Sequence, residues 1–315
     1  MIKNLLKNNP IIFVDIGAAG GMHKRWLKLG SNIKSILFEP DEEEYKKLNF
    51  NKSDNSVIIN AAVADNKKLV DFNICKKQEV SSIYKPNLNL INKYDEAQRF
   101  EVERTVSMQA DSLNSLLKVE NINDVDFMKI DTQGSELDIL KGATNYLDNI
   151  IGLEVEVEFV QLYHEQPLFF EVNTFIESNG FSLIDLRKSH WKRERKNYSI
   201  NKGQLIFADA LYFKEPEKIL AISGLNQEKI VKTIFVYLTY GYHDFARVLF
   251  DLSKKNNFLS TECEIGIKDL LRRHNTEFVF PDFKGKDRIK NFFNYLSNKF
   301  NSKDSFSGTE TKLGN

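Results

Sequence analysis

Four carboxylates stand where apolar runs end or are interrupted: Asp15 in "FVDIGAAGG", Glu39 in "SILFEP", Asp131 in "VDFMKID" and Glu156 in "LEVEVEF". A carboxylate at a strand end is carried on rigid backbone, and it can bind a ligand's hydroxyls or take a proton during a reaction. Asp15 is followed by Gly17, Ala18, Ala19, Gly20 and Gly21. Such small residues let the chain turn tightly and let a ligand approach the backbone. Glu39 follows Gly21 by 18 positions, at the end of the second apolar run. In an open parallel sheet ligands sit beyond the carboxyl ends of the strands, and an acid there accepts hydrogen bonds from both hydroxyls of a ribose. The two features together specify a nucleoside-containing ligand.

The spacing narrows the nucleoside. A dinucleotide fingerprint G-x-G-x-x-G counted from Gly17 needs glycines where Ala19 and Met22 stand, and no GK[ST] follows, which excludes a P-loop. S-adenosylmethionine has a ribose, an adenine and an amino-acid arm but no phosphate. A loose glycine turn, with Asp15 toward the amino-acid end, suits it better than NAD. Two rival readings are a nicotinamide-dependent oxidoreductase and a non-catalytic glycan-binding module on the same fold.

Methyl transfer needs an acceptor aligned with the donor and a base near the reacting hydroxyl. Asp131 is the first candidate base; its other role would be to cap the helix that opens at Gly134. Alternation puts Glu154, Glu156 and Glu158 on one strand face, where three like charges repel unless they are solvated or paired. Asp131 and Glu156 could together hold a divalent cation such as magnesium; no residue is assigned as a metal ligand. His164, in "QLYHEQPLF", is a second candidate base or else a surface histidine. Ser81 and Ser82, in the polar loop 76–101, belong either to a lid over the cofactor or to an ordinary polar loop. Residues 187–202, "RKSHWKRERKNYSINK", are either a solvated loop or a recognition element for a phosphate, a sugar acid or a nucleotide-linked sugar, with Trp191 stacking on a ring.

The elements that must carry these residues alternate. "IIFVDI", "IKSILF", "SVIINAAVAD", "VDFMKID" and "IIGLEVEVEFV" read as strands, "EEEYKKLNF", "GSELDILKGATNYL" and "FFEVNTFIESNG" as helices, and "FSLIDLR" with "QLIFADALYF" as a hairpin closing one edge. Asp41 is placed to cap the first of those helices. "KLVDFNIC" and "RTVSMQ" are additional strands. This alternation implies an α/β, doubly wound, mostly parallel sheet. After about residue 215 the pattern becomes helical only, which predicts a C-terminal helical extension over 216–300 and a disordered tail over 301–315. In the extension, Phe245, Val248, Leu249 and Leu252 share one helical face. Ile289, Phe292, Phe293, Leu296 and Phe300 form another apolar stripe, flanked by Lys284, Lys286, Arg288, Lys290 and Lys299. Packing against the main domain is the commoner fate of such a stripe; peripheral contact with an anionic membrane is the other.

The chain has 315 residues, with 44 basic and 44 acidic side chains, so no global field favours nucleic acid. Cys75 and Cys263 form no CxxC pair, which argues against a disulfide scaffold and fits a reducing compartment. The N-terminal segment lacks a continuous apolar h-region, and no stretch approaches a transmembrane span, so the expectation is a cytoplasmic protein.

"VDIGAAGG", "FEPD", "NAAVAD", "MKIDTQGSELDILKGA" and "EVEFVQLYHEQPLF" resemble, in type and order, the motifs of the FkbM-like S-adenosylmethionine-dependent methyltransferases over residues 10–215. The block Lys129–Ala143 is the most specific, and it carries Gln133 where an acid is common in that family. The resemblance implies a Rossmann-like methyltransferase domain over 1–215 and O-methylation of a sugar, glycan or other hydroxyl acceptor. It also implies cofactor contacts at Gly17, Ala18, Gly20 and Glu39, with Asn60, Ala62 and Asp65 near the adenine, and Glu156 facing the acceptor.

Overall fold

The computed structural model describes residues 6, 8–95, 97–193, 203–274, 284–300, 310 and 312–314. Its first half runs β1 (Ile11–Ile16), α1 (Lys24–Leu27), β2 (Ile33–Phe38), α2 (Glu42–Phe50), β3 (Ser56–Ile59), β4 (Ala62–Ala64), β5 (Lys68–Cys75), α3 (Leu88–Ile91), β6 (Val102–Ser112) and α4 (Leu113–Val119). There follow β7 (Phe127–Ile130), α5 (Glu136–Lys141), α6 (Thr144–Leu147), β8 (Gly152–Glu158), α7 (Phe169–Ser178), β9 (Ser182–Trp191) and β10 (Gln204–Phe213). Helices alone complete the order: α8 (Pro216–Leu220), α9 (Gln227–Thr239), α10 (His243–Lys255), α11 (Thr261–His274) and α12 (Lys286–Phe300).

The main sheet has the order β3-β2-β1-β7-β8-β10-β9. Its first five strands are parallel, whereas β10 runs antiparallel to both β8 and β9. This is a doubly wound, Rossmann-like α/β sheet closed at one edge by a hairpin, as the alternation predicts. Strand order reverses at β1, so a crevice opens beyond Ile16, between the loops that leave β1, β2 and β7. Asp41 caps α2, accepting from the amides of Glu43 and Glu44.

Two elements break where the sequence reads as continuous. "SVIINAAVAD" is two strands: the Ala61 amide turns back onto the Ile59 carbonyl, and β4 joins a second sheet, β4-β6-β5. The helix predicted from Gly134 to Leu147 is divided at Gly142, which packs so closely on β4 that a Cβ there would lie 2.2 Å from the Ala64 carbonyl oxygen.

Both faces of the sheet are covered. Val14, Ile36, Met128, Val155 and Val157 pack with Leu113, Leu140, Val172 and Ile176 from the crossover helices. The opposite face buries Phe13, Phe127, Leu211 and Phe213 under Trp26 and under Ile230, Ile234, Tyr237, Tyr240, Leu249 and Ile267 of α9–α11. Residues beyond Phe213 thus share one continuous core with the sheet. A buried ionic tie strengthens the junction: Asp126, at the start of β7, accepts from the ammonium groups of Lys229 at 2.7 Å and Lys232 at 2.8 Å, and from the Ile12 amide.

The buried face of α10 overlaps the expected one, with Leu249 buried and Phe245 packed against the same core, but it is shifted. Ala246, Leu249 and Phe250 point inward and Val248 is exposed, because the helix is held between α9 and α11. The stripe of α12 is not packed away: Ile289, Phe292 and Phe293 are 49%, 57% and 63% exposed. Of the tail, residues 301–309, 311 and 315 lie outside the described residues. Leu313 is buried in the helical core, and the Glu310 amide donates to the Lys188 carbonyl of β9.

Candidate functional site

The crevice holds a cavity of about 840 Å³ including its open mouth, lined by Ile16, Gly17 and Ala19 after β1 and by Glu39, Pro40 and Asp41 after β2. Ala62, Val63, Phe72 and Ile83 give it an apolar wall, and Asp131, Thr132 and Gln133 close it from β7. The size and the mixture of apolar walls with few polar groups are those of a small-molecule site. Gly17 has a φ of +81°, and a Cβ on it would stand 1.9 Å from the Asp131 carbonyl oxygen. The first glycine is therefore required by protein backbone as well as by any ligand.

Glu39 is 4% exposed and accepts from the Asp41 amide at 2.9 Å. Burial, opposed by that amide and reinforced by Asp41, Glu44 and Asp15, pushes its carboxyl up to about 7. Asn60 braces the strand end by donating to the carbonyls of Glu39 and Pro40.

Carboxylates crowd the neighbouring strand ends. One oxygen from each of Asp131, Glu156 and Asp209 lies within 4.8 Å of the others, and the same holds for Glu136, Glu156 and Glu158. Lys129, half-buried in β7, stands 3.1 Å from Asp131 and 3.7 Å from Asp15. Burial works against ionisation of Asp131, but Lys129 and the Gln133 amide outweigh it and hold the carboxyl below its usual range. Asp15 is pushed up to about 6 by burial despite Lys129. Glu156 goes well above the carboxylate range through burial and the charges of Asp131, Glu158 and Asp209.

Gln133 joins these groups. Its amide nitrogen donates to Asp131 at 3.2 Å and to Glu156, while its carbonyl oxygen accepts from the buried Tyr163 hydroxyl at 2.9 Å. Its φ of +58° is unusual for a side-chain-bearing residue. The backbone is held there by Ser82, whose hydroxyl donates to the Gln133 carbonyl, and by Glu136, which accepts from the amides of Thr132 and Gly134. Burial raises Glu136 to about 7, against the pull of those amides.

A second cavity, about 590 Å³ including its open mouth, lies on the other side of this loop. It is lined by Glu79, Asp131, Gln133 and Glu156 together with Arg99, Phe100, Trp191 and Phe207. Glu79, Asp131 and Gln133 also line the first cavity, so they form the wall between the two.

Of the residues expected to contact a cofactor, Gly17, Glu39 and Ala62 line the first cavity. Asp15 does not; it is buried beneath the turn and reaches the site through Lys129. Ala18 is buried with its amide on the Phe38 carbonyl, and Ala19 lines the cavity in its place. Gly20, with a φ of +79°, faces open space away from the lining. Asp65 pairs with Lys68, and Ser82 is a buried brace, with Ser81 at the wall instead. Loop 76–101 builds walls of both cavities through Glu79, with Ser81 in one and Arg99 and Phe100 in the other.

Of the catalytic candidates, Asp131 and Glu156 come together and His164 does not. His164 is exposed, its amide on the Lys85 carbonyl, because the loop turns its neighbour Tyr163 inward. The solvated strand end considered for Glu154, Glu156 and Glu158 is also corrected, since all three are buried. Glu154 accepts from the Tyr240 hydroxyl at 2.5 Å, which a sequence without the packing of α9 could not reveal. Trp191 is 4% exposed in β9, with the Arg99 guanidinium 4.9 Å from its ring; residues 194–202 of the basic segment lie outside the described residues. Lys129 and Tyr163 are participants the sequence reading does not assign, a lysine inside the apolar run "VDFMKID" being the available signal; Gln133, read there as a departure from an acid, takes a hydrogen-bonding place.

The same contacts test a metal. The Gln133 amide donates to both Asp131 and Glu156 and the Arg187 guanidinium binds Asp209, so proton donors hold the lone pairs that a cation would need. With these donors in place, Asp131, Glu156 and Asp209 do not fit a divalent ion.

A model of the methyltransferase FkbM domain matches residues 15–183. No curated protein sequence matches the chain. Similar solved structures include precorrin-6y C5,15-methyltransferase from Geobacter metallireducens GS-15, at 9% identity over 67% of this chain and 88% of that one, TM-score 0.35. M. capricolum TrmK in complex with S-adenosyl-homocysteine is 10% identical over 86% and 94%, TM-score 0.34. A SAM-dependent methyltransferase from Aquifex aeolicus is 13% identical over 67% and 89%, TM-score 0.29. The assignment rests on the domain match, which spans the glycine turn, Glu39, the Asp131 loop and β8: the chain belongs to the FkbM methyltransferase family and is an S-adenosylmethionine-dependent methyltransferase.

Proposed function

We propose that the protein methylates a hydroxyl oxygen of a carbohydrate-containing or similar hydroxyl-bearing acceptor, with Asp131 as the base. The observation that carries this reading is the shared wall: Asp131 and Gln133 line both cavities, so a donor in one and an acceptor in the other would meet at their side chains. S-adenosylmethionine, bound in the first cavity, supplies an electrophilic methyl group on a sulfonium.

Gly17 and Ala19 leave room beside the turn, Glu39 accepts hydrogen bonds from the ribose hydroxyls, and Ala62, Val63, Phe72 and Ile83 form the apolar slot for the adenine. Lys129 keeps Asp131 ionised and therefore ready to accept the hydroxyl proton as the oxygen–carbon bond forms. Glu156, raised by burial, keeps its proton, so the pair divides into a base and a neutral hydrogen-bonding partner. Gln133 fixes their separation. Phe100, Trp191 and Phe207 offer aromatic faces against which the apolar side of a sugar ring can pack. The test is mass spectrometry of a glycan pool incubated with enzyme and isotopically labelled donor. A labelled methyl ether on a hydroxyl is expected. Label that appears only on nitrogen or carbon, or no label despite tight cofactor binding, overturns the reading.

A further inference from the structure

The helix α12 has no part in either cavity, yet its surface is highly organised. Ile289, Phe292, Phe293 and Leu296 recur at spacings of three and four and fall within an arc of about 100°. The first three are 49%, 57% and 63% exposed, and the Phe292 and Phe293 rings meet edge to face at 6.0 Å. An exposed aromatic patch on a soluble protein marks an interaction surface.

The charges select the partner. At the same angular spacing, Lys286 and Lys290 border the apolar arc on one side and Arg288 on the other, while Asp287 and Asn291 lie opposite. Lys284 precedes the helix and is exposed. A chain of balanced total charge therefore gathers four cations and one anion into Lys284–Lys290, around this exposed apolar face. A second copy of the helix laid face to face would bring these basic rims together and be repelled. A planar array of anionic headgroups above an acyl layer satisfies the rim and the apolar arc at once. With 15 residues, the helix is about 22 Å long. None of the helices among the described residues is long and apolar enough to cross a membrane, so the contact is one that lies in the surface plane.

We propose that α12 docks the enzyme on an anionic lipid bilayer, with Phe292 and Phe293 inserted at the headgroup boundary and the basic rim paired with lipid phosphates. The inference is independent of the acceptor chemistry.

The test is co-sedimentation of the full chain with vesicles of phosphatidylcholine alone and of phosphatidylcholine and phosphatidylglycerol in equal parts. Binding to the mixed vesicles is expected to exceed that to the neutral ones by about tenfold or more and to weaken with salt. The double variant F292S/F293S should lose the salt-resistant part of the binding and fall to the neutral-vesicle background at high salt, with an unchanged melting temperature because both rings face water. The double variant R288Q/K290Q should lose about fivefold per charge at low salt and keep the apolar remainder. Wild-type protein that ignores the mixed vesicles, or binding that F292S/F293S leaves unchanged at high salt, overturns the proposal. So does a wild-type dimer in sedimentation velocity that F292S/F293S dissociates while vesicles have no effect, since the occupant is then a second copy.

Discussion

Gly17 stands so close to Asp131 that any side chain at position 17 would collide with the Asp131 carbonyl oxygen, 1.9 Å from an added Cβ. The turn that opens the cofactor cavity and the loop that carries the candidate base are thus one packed unit. Gly17→Ala must also enter a positive-φ conformation, so it should cost several kcal/mol. The expected outcome is a melting temperature lowered by many degrees with loss of S-adenosylhomocysteine binding in calorimetry. A variant with wild-type melting and affinity would show that the two backbones move apart freely.

Glu39 couples cofactor affinity to pH. Its carboxyl, held up at about 7 by burial, must ionise to accept hydrogen bonds from a ribose. Affinity for S-adenosylhomocysteine should be constant above that pH and fall by about tenfold per pH unit below it. The sign reverses for stability. A carboxyl raised from 4.5 to about 7 destabilises the fold progressively as pH rises between those values, and fully above them. Glu39→Gln should therefore raise the melting temperature at pH 8, by on the order of 2–3 kcal/mol in stability, and leave it nearly unchanged at pH 4. A pH-independent affinity removes Glu39 from the ligand.

Asp131→Asn tests the base. The rate should fall by about 10²–10⁴-fold while cofactor affinity changes only a few-fold. His164→Ala is the matched control, since that side chain is exposed and away from both cavities; it should leave the rate unchanged. An unchanged rate in Asp131→Asn assigns proton removal to solvent.

Gln133→Glu introduces a carboxylate that faces Asp131 and Glu156 in place of an amide that donates to both. Burial and like charge will raise its pKa, so the loss of stability relative to the wild type should be small at pH 5 and grow as pH rises. Melting curves at pH 5 and pH 8 measure this. An equal loss at both values would mean that the new side chain swings out to water.

The strands, their parallel order and the positions of Asp131 and Glu39 were legible because each ends an apolar run, and the pleat then fixes the edge on which it stands. Long-range packing was not legible. Ala18 and Gly20 read as ligand contacts because small residues look alike in sequence, whereas only the trajectory of the turn separates Ala19 at the wall from Ala18 beneath it. Of the two readings of His164, base or surface histidine, the structure shows the surface one, while its neighbour Tyr163 is buried, a difference that titration chemistry alone does not reveal. Gln133 read as a departure from an acid; its φ of +58° and its three partners come from contacts far apart along the chain.

The ionic tie at Asp126 and the aromatic layer around Trp26 have a consequence for where this enzyme can be cut. The family match ends at residue 183, yet the far side of its sheet is roofed by α9–α11, and Tyr240 from that roof reaches the Glu154 carboxylate. A polypeptide ended after Phe213 would present Phe13, Trp26, Phe127 and Phe213 to water and strip Asp126 of both ammonium partners. The helices that follow the recognisable enzyme are as much its interior as the strands within it, and the two halves should melt as a single cooperative body.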